Sequence, residues 1–182
     1  VGQRFEHAGR KPTRPVAAGG SPVLVEGSGK VRSRICRWDL MFDPLDAFRR
    51  DGDERPEFAD LAVDADPDTA WGTLCYIDQY MGAKGRVGLV VDLGTASTAT
   101  LRVTIASAPS QVRLFASSAD TLPATFDDWG AEVATFADVE PVKVEATVTG
   151  RWVLVALYEL GPDASCADNP YRGAISEITV VS

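Results

Sequence analysis

From residue 87 onward apolar and polar positions alternate with a period of two. Thr100 to Ala106 sets Leu101, Val103 and Ile105 on one face, and Gln111 to Ser117 does so with Val112 and Leu114. Val142 to Val148 repeats the pattern with Val142, Val144, Ala146 and Val148. This is the spacing of strands with one face buried. Val87 to Leu93 (VGLVVDL), Glu132 to Phe136 and Ala174 to Val181 (AISEITVV) add three more strands. Arg151 to Leu160 (RWVLVALYEL) is apolar on both faces, as expected of a central strand. Turn residues fall between these runs: Gly94, Ala108-Pro109-Ser110, Asp127 to Gly130, Thr149-Gly150 and Gly161-Pro162. With almost no helical period, the pattern predicts an all-β fold, an antiparallel β-sandwich or barrel.

Upstream the signal changes. Val1 to Lys30 holds Arg4, Arg10, Lys11, Arg14, three prolines and the Gly19-Gly20 pair, and sustains no period. It reads as a linker or tether (residues 1–30), with a short strand possible at Val23-Leu24-Val25, and the sandwich domain spans 31–182. Val31 to Phe42 is the first strand expected in the domain. Pro44 to Pro56 (PLDAFRRDGDERP) is a charged run of the kind that usually forms solvated surface. Glu57 to Ala62 fits one short helical turn.

Length and composition narrow the function. The chain has 182 residues, 45% of them hydrophobic, enough for one domain with a real core. No apolar run is long enough to span a bilayer. The net charge of -8 argues against a nucleic-acid partner, which would want a basic face. His7, the only histidine, lies in the tether, so no Ser-His-Asp or Cys-His arrangement falls on the domain. No phosphate-binding glycine loop is present. The chemistry therefore reads as non-enzymatic.

Leu61 to Trp71 (LAVDADPDTAW) is the densest stretch of chemistry. Asp64, Asp66 and Asp68 alternate, too closely for one helix face. On a loop they can converge with backbone carbonyls on a hard cation such as calcium, with Asp64 and Thr69 giving side-chain oxygens. They equally suit Asx turns and caps. Pro67 fits a tight turn, and Trp71 can anchor the loop on a core. Three cysteines allow one disulfide. Cys75 with Cys166 is the preferred pair because both lie in turn-rich loops, and Cys36 reads as a buried thiol.

LAVDADPDTAW followed by a strand ending Asp-Leu-Gly (VGLVVDLG), and closing on Ile175 to Val180, resembles discoidin-like, or galactose-binding-like, domains. The resemblance covers Val31 to Ser182. Ala65 stands where members commonly have glycine, a departure that matters if the turn needs positive φ. More narrowly, FDP (Phe42 to Pro44), ERPEFADLAVDADPDTAW, KGRVGLVVDLG, RWVLVALYEL and YRGAISEITV resemble the C-terminal extracytoplasmic domain of actinobacterial MviN-type, lipid II flippase-like membrane proteins. Related domains occur outside some actinobacterial Ser/Thr kinases.

The resemblance implies an eight-stranded jelly-roll sandwich, no catalysis, and an extracytoplasmic place at the cell envelope, tethered to a membrane through an upstream segment. It implies a structural calcium held by the Asp64 side chain, the Asp66 carbonyl, Thr69 through carbonyl and hydroxyl, and the Glu177 carboxylate, with Asp68 pointing outward. The partner it implies is a cell-wall glycan or an envelope protein. A glycan would meet loop aromatics and hydrogen bonders: Trp71, Tyr76, Tyr80, Tyr171 and Arg172. The alternative is an interaction or sensor domain that binds no sugar.

Overall fold

The structure is a computed structural model that describes residues 23–26, 32–36, 54–108, 110–139 and 143–181. The tether up to residue 22 with His7, the end of the first predicted strand and most of the charged run lie outside the described residues. Ten strands follow one another: β1 (Val23–Glu26), β2 (Arg32–Cys36), β3 (Trp71–Gly72), β4 (Val87–Ile105), β5 (Ser110–Ser117), β6 (Glu132–Val139), β7 (Lys143–Glu159), β8 (Gly161–Pro162), β9 (Tyr171–Arg172) and β10 (Ala174–Val181). Eight of them form one antiparallel sheet in the order β1-β2-β4-β7-β5-β6, with β10 on β4 and β3 on β10. β1 falls within residues 1–30, so pairing begins ahead of residue 31. Cys36 closes β2 opposite Val90.

Two predicted turns prove to be bends. Gly94 and Thr149-Gly150 do not reverse the chain. β4 and β7 run through them and stay paired, Val87 to Asp92 against Leu157 to Trp152, then Ser97 to Thr104 against Gly150 to Lys143. Between Asp92 and Ser97 the register shifts, and Gly94 takes φ +81°. That conformation costs glycine little and strains any other residue. The bulge folds the sheet over on itself, which makes a sandwich from two shared strands.

An ion pair fixes the bend. Asp92 is 2% exposed, and its carboxylate accepts from Arg151 Nε at 3.1 Å, Arg151 Nη2 at 3.2 Å and the Gly94 N–H at 2.8 Å. The aspartate of the Asp-Leu-Gly motif is thus a structural residue of the fold.

The main core lies between the layers. Leu89, Val91, Leu101, Val103, Ile105, Val112, Leu114, Val153, Val155, Leu157, Ile175 and Trp71 fill it. Central strands need cover on their other face too, as RWVLVALYEL predicts. Val90, Phe115, Trp152, Leu154 and Ala156 form that second cluster, closed by Trp129. Asp127 to Gly130, read as a turn, is here a 3-10 helix over Phe126–Trp129, started by a Thr125/Asp128 capping box. Phe126 packs against this outer cluster. Among the described residues no helix is long and apolar enough to cross a membrane.

Candidate functional site

Both ends of β4 lie at one end of the sandwich, because the strand folds back on itself. The loops 73–86 and 160–173 gather there with residues 106–108. Cys75 and Cys166 join the two loops in a disulfide, with Cα atoms 5.8 Å apart. Beside it Tyr76 and Tyr171 exchange backbone hydrogen bonds of 2.7 and 3.0 Å. The Thr73 N–H donates to the Gly173 carbonyl at 2.9 Å, and the Leu160 N–H to the Gln79 carbonyl at 2.9 Å. Arg172 Nε donates to the Thr73 carbonyl at 3.1 Å, and its guanidinium faces Asp163 at 3.8 Å. The same guanidinium lies against Gly72, where a Cβ would come within 2.5 Å of Nη2. These links make one rigid platform.

Glu54 anchors the platform from below. The sequence placed it in a solvated charged run, but it is 4% exposed. Its carboxylate accepts from the Leu74 N–H at 2.9 Å, from Lys84 Nζ at 2.5 Å and from the Tyr76 hydroxyl. Its carbonyl accepts from Trp71 Nε1 at 2.9 Å. Composition alone offered no signal for this burial, because the partners lie 17 to 30 residues away.

The five predicted ligand contacts divide accordingly. Trp71 must be corrected: at 1% exposure it is core, with its indole N–H already used. An indole sealed between sheet and loop has no free face for a ligand. Tyr76 and Tyr171 are half-buried and pack on the core. Arg172 is half-buried and engaged as described. Tyr80 is 53% exposed, and its loop also presents Ile77 at 77% and Leu74 at 41%. The structure thus brings Tyr76, Tyr171 and Arg172 together and leaves Tyr80 on the outward side of their loop.

The 3-10 helix Pro56–Ala62 packs on β10 and leads into the aspartate loop. Ala65 has φ +62°, so the position does need the left-handed conformation that a glycine would take without strain. Asp64 Oδ1 accepts the Asp66 N–H at 2.9 Å, and Asp66 Oδ1 accepts the Asp68 N–H at 3.0 Å, two Asx turns in series. The single Thr69 hydroxyl proton faces three acceptors: Asp64 Oδ2 at 2.7 Å, the Asp66 carbonyl at 3.1 Å and the Leu61 carbonyl at 3.4 Å. Glu177 arrives because β10 carries a bulge at Ser176. The bulge lets Ile175 and Ile178 both enter the core and turns the carboxylate between them toward the loop.

Burial first, then the Asp64 charge, raises the Glu177 pKa. Hydrogen bonds from Asp66 and Thr69 lower that of Asp64. Asp64, the Asp66 carbonyl and Thr69 share one hydrogen-bonded turn, and the Glu177 carboxylate feels the Asp64 charge. The turn has more oxygen acceptors than protons, and among the described residues no group of three His, Cys, Asp or Glu side chains gathers that could hold a metal ion. The Leu61 carbonyl is a member the sequence did not suggest.

No protein-family model matches the chain. Among solved structures it is similar to chitosan-binding module 1 from a chitosanase/glucanase of Paenibacillus sp. IK-5, with a TM-score of 0.51 and 18% identity over 67% of this chain and 83% of that one. It is also similar to part of a GH29 fucosidase of Ruminococcus gnavus in complex with fucose, with a TM-score of 0.50 and 15% identity over 84% of this chain and 25% of that one. At these identities the likeness shows a shared fold. The fold is an all-β, antiparallel β-sandwich.

Proposed function

We propose that the chain is a non-catalytic glycan-binding module. Its binding surface is the platform of loops 73–86 and 160–173. Its setting is the one the MviN-type resemblance implies, outside a membrane to which the full protein is tethered, with a cell-wall glycan as ligand. The observation that carries the reading is Tyr80, an exposed aromatic ring on a loop held by a disulfide, a paired backbone and a buried carboxylate. An aromatic ring so placed stacks on a sugar face at little ordering cost. Asp78 and Gln79, its neighbours in the loop, supply polar groups beside it, and the Asp78 carboxylate accepts the Tyr80 N–H at 2.8 Å.

The same reading includes a structural calcium in the aspartate loop, held by Asp64, the Asp66 carbonyl, Thr69 and Glu177. The ion would neutralise the two carboxylates and fix the loop against β10.

The exposure of Ile77 and Leu74 favours a second reading, a protein-interaction surface at the same platform. One experiment separates them. Peptidoglycan, arabinan and galactan fragments are titrated into labelled protein and followed by NMR shifts. Saturable shifts at Tyr80 and Arg172, abolished by Tyr80→Ala, support glycan binding. Silence across all three ligands refutes it and favours the protein-interaction surface.

A further inference from the structure

The turn that carries Tyr80 keeps a side chain where its backbone favours glycine. Among the described residues, three other than glycine take positive φ: Arg55, Ala65 and Met81. Arg55 is half-buried and Ala65 is exposed. Met81 is 4% exposed, and its side chain belongs to the main core. Its backbone lies in the left-handed region at φ +62° and ψ +18°. Glycine takes that conformation at little cost, and any other residue is strained there. The next residue, Gly82, takes φ +57° as a glycine can. At Met81 the chain accepts the strain and keeps the side chain. Strain of this kind persists where the surrounding structure over-determines it, and it clusters at ligand-binding sites.

The role of Met81 follows from its neighbours. Its N–H donates to the Asp78 carbonyl at 2.9 Å, which closes a β-turn over residues 78–81. Within that turn Asp78 Oδ1 accepts the Tyr80 N–H at 2.8 Å. The Gln79 carbonyl accepts the Leu160 N–H at 2.9 Å, and Gln79 Nε2 donates to Glu159 Oε1 at 3.2 Å. The Met81 carbonyl accepts the Lys84 N–H at 3.2 Å, and Lys84 Nζ in turn bonds the Glu54 carboxylate. Tyr80 therefore stands between two residues fixed to the body of the domain. Gln79 is held by hydrogen bonds to Glu159 and Leu160, and Met81 by burial. While both hold, the turn cannot draw the Tyr80 ring inward, and Tyr80 stays 53% exposed.

We propose that Met81 is a positioning residue of the binding platform. Its buried side chain anchors the turn, its left-handed backbone sets the turn's path, and Asp78 braces the Tyr80 N–H. Together they hold the Tyr80 ring outward before any ligand arrives. Restricting the loop ahead of binding removes part of the ordering cost that association would otherwise carry. That Tyr80 meets a glycan rests on the reading of the chain as a glycan-binding module. The mount does not, because it is a property of the free protein.

The test begins without ligand. Backbone nitrogen relaxation gives the order parameter of the Tyr80 N–H in the full chain. In the wild type it is expected near about 0.85, the value of rigid backbone, and in M81A below about 0.6. M81L keeps an apolar side chain of similar volume and should restore the wild-type value. D78A removes the acceptor of the Tyr80 N–H without touching the core and should also lower the order parameter, and D78N, which keeps Oδ1, should restore it. The Asp78 pair keeps the test open if M81A folds poorly. A Met81 that only packs the core would lower the urea midpoint in M81A and leave the order of Tyr80 as it was. That result, the same result in D78A, or a flexible Tyr80 in the wild type would overturn the proposal. Peptidoglycan, arabinan and galactan fragments are then titrated by calorimetry. M81A is expected to bind any fragment that the wild type binds about two- to tenfold more weakly, with M81L restoring the affinity. An affinity unchanged in M81A despite lost order would overturn the positioning role. Lost order in M81A, with no fragment bound by the wild type, would uphold the mount and overturn the glycan reading.

Discussion

Replacing Glu54 by alanine tests whether one buried carboxylate holds the whole binding platform. The substitution takes one shared acceptor from the Leu74 N–H, the Tyr76 hydroxyl and the Lys84 ammonium, while Lys84 Nζ keeps its bond to the Tyr76 hydroxyl at 3.1 Å. It leaves the Trp71 bond in place, because that bond goes to the Glu54 backbone carbonyl. A hydrogen bond to a charged acceptor contributes about 1.5–3 kcal/mol, and the three share one acceptor group, so their values do not simply add. Lys84 is 20% exposed, so water recovers part of its loss. Breaking a buried pair by removing one partner costs about 3–5 kcal/mol, and the lower half of that range is expected here. Glu54→Gln keeps an acceptor for Leu74 and should cost less. Urea unfolding followed by tryptophan fluorescence gives both values, provided the slope with denaturant is unchanged. A cycle with Lys84→Met should show coupling of about 1 kcal/mol or more. A loss below about 1 kcal/mol in Glu54→Ala, or additive single and double variants, would refute the clamp.

Ala65→Gly should stabilise the protein by about 1 kcal/mol by relieving the left-handed backbone, and an unchanged urea midpoint would show that the strain is not there. Chelating calcium should lower the melting temperature by several degrees in the wild type and leave Glu177→Gln unchanged, since only binding to the native state stabilises it; equal melts with and without chelator would remove the ion from the reading. The Cys75→Ala/Cys166→Ala double variant opens a link of 91 residues and should cost about 4 kcal/mol, measured by the same unfolding. Asp163 is held below the ordinary carboxylate range first by its hydrogen bond from Ser165. Its folded state therefore binds protons less readily than the unfolded chain, so its contribution is present above the ordinary value and is lost as pH falls through the lowered one. Asp163→Asn should flatten that part of the acid limb, and an unchanged pH profile would refute it.

The difference between what was legible in the sequence and what was not follows the range of the interactions. The Asp64 to Thr69 turn is built from bonds spanning two to five residues, and the residue types alone foretell it. The strands were legible because burial on one face imposes period two. Gly94 and Gly150 misled because a glycine marks a change of backbone direction without saying whether the chain reverses. Here the reversal is prevented by pairing across both glycines and by Arg151 reaching the Asp92 carboxylate 59 residues away. Glu54 was misread for a similar reason: its neighbours in sequence are charged and polar, yet its neighbours in space are Trp71, Leu74, Tyr76 and Lys84.

Glu177 shows the converse. A strict period of two would place it on the core side with Ile175, and only the bulge at Ser176 turns it outward. The resemblance to discoidin-like domains supplied that residue, which no local pattern in AISEITVV could. The binding platform follows the same logic. Its aromatic residues were visible in order along the chain, but which of them remains open to a ligand was decided by tertiary contacts. Glu54 draws Tyr76 inward and the core takes Trp71, so the outward position falls to Tyr80. A single substitution at Glu54 should therefore loosen the loop that carries Tyr80 without touching its side chain. Affinity for any ligand of that platform should then fall with the stability of the loop.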